Sequence, residues 1–302
     1  ACMKLFMPPP GENWATDVIT SEFAACTRHQ MVRTAADAEC IWLYSKWITN
    51  HFLLSELKEK PCITTVHHIV PSKGIDIAFF DTFTDLYHVS NDITFSMLRA
   101  LTKKPIKKLP YWVNDDRFSG GTMKHFNGKI LLGSAQRDTE GADLISPKLE
   151  KGPDILAGVF EKLDLAKYHV MLAGWRRQYI MSRLDAMGMS YTYHERVEDI
   201  AAFYASCDYY ITASRYEGGP QSILEASQMK TRILSTPVGI APEVLHPDCI
   251  CASVDEFVRK IEENLIDHTC DVNHANVQRL LMRDVVPMYD DLIEHVHAGV
   301  VT

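Results

Sequence analysis

The chain has no apolar run near the roughly 20 residues that a membrane-spanning helix needs. It also has no CxxC pair, no HExxH and no GxGxxG after an early strand. Each absence weighs against a class. Without the long apolar run no transmembrane anchor is expected, and the opening ACMKLFMPPPG holds too short an apolar segment for a secretory signal. Eight cysteines are present: Cys2, Cys26, Cys40, Cys62, Cys207, Cys249, Cys251 and Cys270. Their scattered spacing makes neither a disulfide framework nor a zinc knuckle, so they read as small buried hydrophobes in a reducing compartment. The 13 histidines are dispersed as well, with His67–His68 the only adjacent pair, and no metal is expected. Lack of an early GxGxxG disfavours a nicotinamide dehydrogenase. An excess of basic residues is also missing: 31 Lys and Arg against 39 Asp and Glu leave a net charge of −8, which weighs against nucleic acid as a partner.

What is present is ordinary for a cytoplasmic globular protein: 46% hydrophobic and 23% charged residues in a chain of 302, enough for one large or two medium domains. Apolar runs alternate with amphipathic segments. Lys4–Met7, Glu39–Tyr44, Cys62–Val66, Leu86–Val89 and Ile106–Leu109 read as strands. Asp17–Gln30, Lys46–Lys58 and Ile93–Lys103 read as helices, the last capped by Ser90-Asn91-Asp92. The polar, glycine-bearing stretch Asn114–Gly128 breaks the alternation and predicts a linker. A second series follows, with strands at Lys129–Gly133, His169–Ala173, Ser190–Tyr193, Tyr209–Thr212 and Ile233–Ser235. Helices are expected at Asp154–Leu163, Arg176–Met187, Val197–Ser206, from near Ser222, at Asp255–Leu265 and at Val272–His297. The pattern predicts an α/β protein of two doubly wound parallel sheets facing a central cleft. Its expected parts are an N-terminal domain 1–113, the linker 114–128, a C-terminal domain 129–270, and a terminal helix 271–302 packing back toward the first domain.

The stretch Tyr209–Glu243, YYITASRYEGGPQSILEASQMKTRILSTPVGIAPE, carries the densest signal. A buried strand runs into a tight loop holding Glu217, Gly218, Gly219 and Pro220, and a helix begins near Ser222. Gly218 and Gly219 let backbone approach a ligand closely. The start of the following helix suits a phosphate. Glu225, separated from Glu217 by seven intervening residues, suits a bidentate bond to vicinal hydroxyls such as those of a ribose. The run Lys103-Lys104-Pro105-Ile106-Lys107-Lys108 is a positive patch, read as a solvated face or as a weak peripheral contact with an anionic membrane surface or acceptor.

Taken together, ASRYEGGPQSILEAS and STPVGIAPEVL resemble the E-x7-E signature and following segment of retaining GT-B-fold glycosyltransferases, glycosyltransferase family 4. ILLGSAQRDTEGADLISPKLEKGPDIL, VMLAG, TTVHHIV, YHVSN and LPYWVNDDRF resemble further elements of that family. The resemblance implies a retaining transfer of a hexose from a nucleoside diphosphate sugar, a UDP- or GDP-sugar, to an acceptor hydroxyl on a glycan, lipid or small molecule. It implies a front-side mechanism without metal or other cofactor. Arg137 and Lys151 match the cations on the donor diphosphate, joined there by Ser222 and the Gln221 amide. Glu217, Gly218 and Gly219 match the donor-sugar contacts, and Glu225 the ribose contact. His67, at the end of a strand, matches the histidine that reaches the sugar, with His68 second. Glu217 and His67 are thus the expected catalytic residues. Tyr193, Arg196 and Val197 fall beside the nucleobase.

Some positions depart from the family. Pro8–Trp14 replaces a flexible glycine pair with a rigid proline run, leaving Gly11, Asn13 and Trp14 as the acceptor-side loop. Lys230-Thr231-Arg232 stands where glycine and proline are usual. Trp112 and Asn114 replace the usual hinge turn. Two other readings stay open: an epimerase or hydrolase of nucleotide sugars, and a non-catalytic nucleotide-sugar-binding module.

Overall fold

Short runs rich in β-branched and aromatic residues, separated by amphipathic segments, dictate parallel strands joined by crossover helices. The computed structural model describes residues 2–11, 15–45, 52, 54–120, 126 and 128–300 and contains two such sheets. In chain order the first half gives β1 (Lys4–Phe6), α1 (Ala15–Cys26), β2 (Gln30–Met31), β3 (Cys40–Leu43), α2 (Leu54–Lys58), β4 (Cys62–Thr65), α3 (Ile77–Asp81), β5 (Leu86–Val89), α4 (Asp92–Arg99) and β6 (Ile106–Lys108). The second half gives β7 (Ile130–Ser134), β8 (Thr139–Glu140), β9 (Ser146–Pro147), α5 (Pro153–Lys162), β10 (Tyr168–Ala173), α6 (Gln178–Met187), β11 (Tyr191–His194), α7 (Ile200–Ser206), β12 (Tyr209–Thr212), α8 (Gln221–Gln228), β13 (Arg232–Ser235), α9 (Ala241–Val244), α10 (Val254–Glu262), α11 (Thr269–Val277) and α12 (Met282–His297).

The chain divides into two compact units, Ala1–Trp112 with Met282–Thr302, and Val113–Leu281. Two expectations change here. The stretch 114–128 counts with the second unit rather than as a linker. Val113 pairs in parallel with Leu281, and Phe118 is buried with its ring 6.2 Å from that of Tyr204. The single terminal helix 272–297 is two helices. A 3-10 turn at Gln278–Leu280 ends the first, and Leu281 takes an extended conformation (ψ 145°) that no α-helix can contain. Only α12 joins the first unit. Within Lys46–Lys58 the described helix is α2, and residues 46–51 and 53 lie outside the described residues.

In the first unit the sheet order is β2-β1-β3-β4-β5-β6, all parallel. Its core is aromatic and is completed by α12. Trp42 stacks on Tyr289 (ring centroids 5.2 Å, 21°), with Phe23 edge-on to Trp42 at 5.0 Å and Trp112 edge-on to Tyr289 at 5.5 Å. Four polar side chains inside this core, those of Trp42, Thr65, His88 and Tyr289, are satisfied in series. Trp42 Nε1 donates to Thr65 Oγ1 (2.8 Å), which lies 3.0 Å from His88 Nδ1. His88 Nε2 donates to the Leu109 carbonyl (3.0 Å), and the Tyr289 hydroxyl donates to the Pro110 carbonyl (2.9 Å).

The second unit orders its strands β11-β10-β7-β12-β13, also all parallel, with a small antiparallel β8–β9 pair beside them. Leu132, Val170, Leu172, Ile211 and Leu234 from the strands pack with Leu156 and Phe160 of α5, Ile180 and Leu184 of α6 and Phe257 of α10. From β7 the chain winds outward through β10 and β11, then returns to β12 and winds the other way. The connections leaving β7 and β12 therefore diverge, and the crevice beyond their carboxyl ends is where such sheets bind ligands. In the first unit the same reversal falls between β1 and β3.

Burial pushes the His88 imidazole down to about 4 from 6.5, so the folded chain keeps this ring neutral. Above pH 6.5 folding carries no proton cost at this group. As pH falls from 6.5 toward about 4 the unfolded chain takes up a proton that the folded chain refuses. Stability is then expected to drop by up to about 3 kcal/mol from this source, levelling below that window. Urea denaturation across the window should show the drop in the parent protein and a flatter profile in His88→Gln.

Candidate active site

The loop after β12 is built by neighbours on both sides. On one side the Arg215 and Tyr216 amides donate to the Glu150 carbonyl (2.8 and 3.1 Å). The Arg215 guanidinium grips Asp154 with two bonds of 2.7 Å, holding that carboxyl below the usual carboxylate range. Gly152, at φ 63°, closes this contact. A Cβ there would lie 1.8 Å from the Ala213 carbonyl oxygen, so only glycine lets the two chain segments meet. The consequence is a side-chain pair: Lys151 Nζ lies 2.6 Å from Glu217 Oε2, with the two side chains 15% and 14% exposed. Ser214 Oγ donates to the other carboxylate oxygen of Glu217 (3.1 Å).

On the other side Gly239, at φ 52°, approaches the same loop. A Cβ there would sit 1.9 Å from the Gly219 oxygen and 2.9 Å from the Glu217 oxygen. The Ile240 amide donates to Gly219 O at 2.7 Å. The Gly219–Pro220 peptide is cis, and α8 starts at the next residue. Ser222 hydrogen-bonds the buried Tyr210 hydroxyl. Glu225, one turn along, accepts from the Tyr204 hydroxyl (2.7 Å). Burial, and then the Glu225 charge, raise the Tyr204 phenol well above its ordinary value, so it stays a donor. Gly218, Gly219, Gln221, Ser222 and Glu225 are thus gathered around one turn with Lys151.

Arg137 follows β7 and is held differently from Lys151. Its guanidinium lies 4.8 Å from the Trp175 ring, its Nε donates to the Thr139 carbonyl (3.2 Å), and Arg176 lies 4.6 Å from the same ring. Beneath them Arg177 is fully buried. It pairs with the fully buried Asp138 (2.6 Å) and donates to the carbonyls of Ser134 and Ala173, both at 2.7 Å. That clamp ties the carboxyl ends of β7 and β10 together. Sequence reasoning missed Tyr204, Trp175, Arg177, Asp138, Gly152 and Gly239. The Arg176-Arg177 pair looks like an exposed helix start, and nothing local distinguishes the buried member.

The remaining candidates lie elsewhere. Tyr193 and Val197 are half-buried, Tyr193 in β11 against the second unit's core, and Arg196 is exposed. His67 belongs to the first unit, where it follows β4. Its Nδ1 hydrogen-bonds the Tyr111 hydroxyl and its ring meets Tyr44 edge-on at 4.8 Å. His68 is half-buried beside it. The buried hydroxyls of Tyr44 and Ser45, at the end of β3, have no hydrogen-bond partner among the described residues. Gly11 sits at φ 69° and donates its amide to Asp17 (2.8 Å). Asn13 and Trp14 lie outside the described residues.

Residues 144–267 match the family described as Glycosyl transferases group 1. Among solved structures the chain is similar to HepE from Anabaena in complex with UDP and glucose, at 12% identity and a TM-score of 0.74 over 98% of this chain and 100% of that one. It is also similar to a glycosyltransferase from Rickettsia africae ESF-5 (13%, TM-score 0.74, 98% of each chain). A third is sucrose-phosphate synthase from Thermosynechococcus elongatus (11%, TM-score 0.72, 99% of this chain and 100% of that one). No curated protein matches the chain in sequence. The fold is that of the GT-B glycosyltransferases, and the group 1 match over residues 144–267 supports a transferase enzyme.

Replacing Gly239 by alanine drives a methyl into two backbone oxygens at a positive φ. Thermal unfolding should show a loss of about 1–3 kcal/mol, the usual cost of overpacking. The Glu217 loop should lose its shape, and with it any response to nucleotide. An unchanged melting temperature and nucleotide response in Gly239→Ala would show that the loop does not depend on this contact.

Proposed function

We propose that the chain is a retaining hexosyltransferase that moves a hexose from a nucleoside diphosphate sugar to an acceptor hydroxyl. The observation that carries this reading is the Lys151–Glu217 pair, seated at the diverging ends of β7 and β12 and followed by two glycines and the start of α8. A diphosphate is a dianion or more, and a helix start beside a lysine attracts it. Arg137, on the loop leaving β7, supplies the second cation. As the sugar–phosphate bond breaks, negative charge grows on the leaving diphosphate. This reading assigns its neutralisation to Lys151, Arg137 and the α8 amides of Gln221 and Ser222 rather than to a metal ion.

The Lys151 ammonium is held by Glu217. An arriving diphosphate competes for that ammonium, leaving the Glu217 carboxylate, with Gly218 and Gly219, to meet the donor sugar. Glu225, aimed by Tyr204, takes the ribose hydroxyls, and Tyr193, Arg196 and Val197 flank the base. The UDP and glucose bound to HepE support a uridine donor, with guanosine second. The reaction is a front-side substitution. The bond from the anomeric carbon to the acceptor oxygen forms on the face from which the phosphate leaves, and the acceptor proton passes to the leaving phosphate oxygen. The acceptor, sugar-containing or lipid, is assigned to the first unit through Gly11, Asn13 and Trp14, with His67 as its catalytic residue. The Lys103–Lys108 run would give a lipid acceptor's membrane a weak anchoring surface at the cytoplasmic face. No helix among the described residues is long and apolar enough to cross a membrane.

Thermal unfolding with UDP, GDP, ADP and dTDP, followed by transfer assays with the sugars of the nucleotide that stabilises most, tests the proposal. UDP or GDP should raise the melting temperature, and Lys151→Met should abolish the rise. Glu217→Gln should keep the rise and lower turnover by about 100- to 1,000-fold, the usual cost of losing one preorganised group. Absence of any nucleotide response, or unchanged turnover in Glu217→Gln, would refute it. Free or epimerised sugar formed without acceptor would establish the hydrolase or epimerase instead.

A further inference from the structure

Away from the donor loop, the turn after α9 and the residue before α11 bring together His246, Asp248 and His268. The turn is anchored before any ligand arrives. Asn273, fully buried on α11, accepts from the His246 amide (2.7 Å) and donates to Cys249 Sγ (3.3 Å). Against that anchor His268 Nε2 lies 2.9 Å from Asp248 Oδ2, and His246 Nδ1 lies 3.6 Å from the same oxygen. The two imidazole rings are 5.1 Å apart and nearly perpendicular. Ligands on a tetrahedral zinc ion at about 2.0–2.1 Å stand about 3.3–3.4 Å from one another. The two separations straddle that value, and the ligand atoms of all three residues lie within 4.8 Å of one another.

We propose that His246, Asp248 and His268 form a binding site for a zinc-class divalent transition metal, with water in the fourth position. Two imidazoles and one carboxylate select such an ion over magnesium or calcium, which take oxygen ligands. The open position follows from exposure: the His268 and Asp248 side chains are 55% and 56% exposed. Neighbouring charges do not take up the Asp248 carboxylate. Asp267 and Asp271 pair with Arg232 and Lys230, and Lys260 donates to the carbonyls of Asp248 and Ile250 (2.7 Å each) rather than to a carboxylate. What the metal displaces is weak: an exposed His–Asp pair and the 3.2 Å bond from the Asp248 amide to His246 Nδ1. Bound metal would clip the 246–248 turn to the start of α11. That helix in turn braces α8 and the residues just after it, through His274 Nδ1 to the Gln228 carbonyl (3.1 Å) and Asp271 to Lys230 (2.8 Å). None of the donor-site residues takes part.

Calorimetric titration of the metal-free full chain with zinc chloride tests the site without reference to transfer. One zinc per chain is expected, with no heat from magnesium chloride. His246→Gln and His268→Gln should each weaken binding by about 10-fold or more, since even losses outside the ligand set cost about 10–100-fold. Cobalt in place of zinc should give a visible four-coordinate spectrum without a thiolate charge-transfer band, separating this site from the exposed Cys2 and Cys26. No zinc uptake, equal uptake by both histidine variants, or a thiolate band would overturn the proposal.

Discussion

Two contacts in which backbone meets backbone with no room for a side chain hold the second unit's site in shape. Gly152 lies against Ala213, and Gly239 against Gly219 and Glu217. Between them they fix the path of Ser214–Pro220 from opposite sides, and the rest of the site depends on that path. It places Glu217 against Lys151, starts α8 at Gln221, and points Glu225 at Tyr204. A lysine and a glutamate 2.6 Å apart and only about one-seventh exposed lose hydration that their mutual attraction must offset. Such a pair is a costly way to stabilise a fold and a reasonable way to hold a cation ready for an anionic ligand.

Support for the loop comes from groups that cannot touch a ligand. The Arg177–Asp138 pair is wholly buried, and the remaining guanidinium protons reach the Ser134 and Ala173 carbonyls and Ser134 Oγ. Removing either charge would strand the other in the interior. The pair thus fixes the ends of β7 and β10, from which Arg137 and Trp175 project. In the first unit the comparable role falls to α12, which brings Tyr289 back onto Trp42, Trp112 and His88 across 201 residues of sequence from His88.

Much of this was legible in the sequence. The strands Leu86–Val89 and Tyr209–Thr212 are where the apolar runs place them, and Asn91 caps α4 as its residue type suggests. The Glu217 loop, the start of α8 and the GT-B fold were also readable. Other features were not, for identifiable reasons. β2 is a two-residue edge strand, too short for any period, and β8 and β9 are equally brief. The break between α11 and α12 rests on the backbone of Leu281 and its pairing with Val113, a partner 168 positions away that no local pattern reveals. Burial of Arg177 depends on Asp138, 39 residues earlier. Lys151 and Glu217 could each be nominated, but their direct pairing arises from the Gly152 turn.

The proposed function requires a nucleoside diphosphate to bind at the Glu217 turn of the second unit. Hydrogen–deuterium exchange of the full chain, with and without saturating UDP, checks this because it reports where backbone amides become protected. Slowed exchange is expected in 149–152 and 213–222, with the amides of Gln221 and Ser222 among the most affected. Slowed exchange confined to other segments, with those two unchanged, would contradict it.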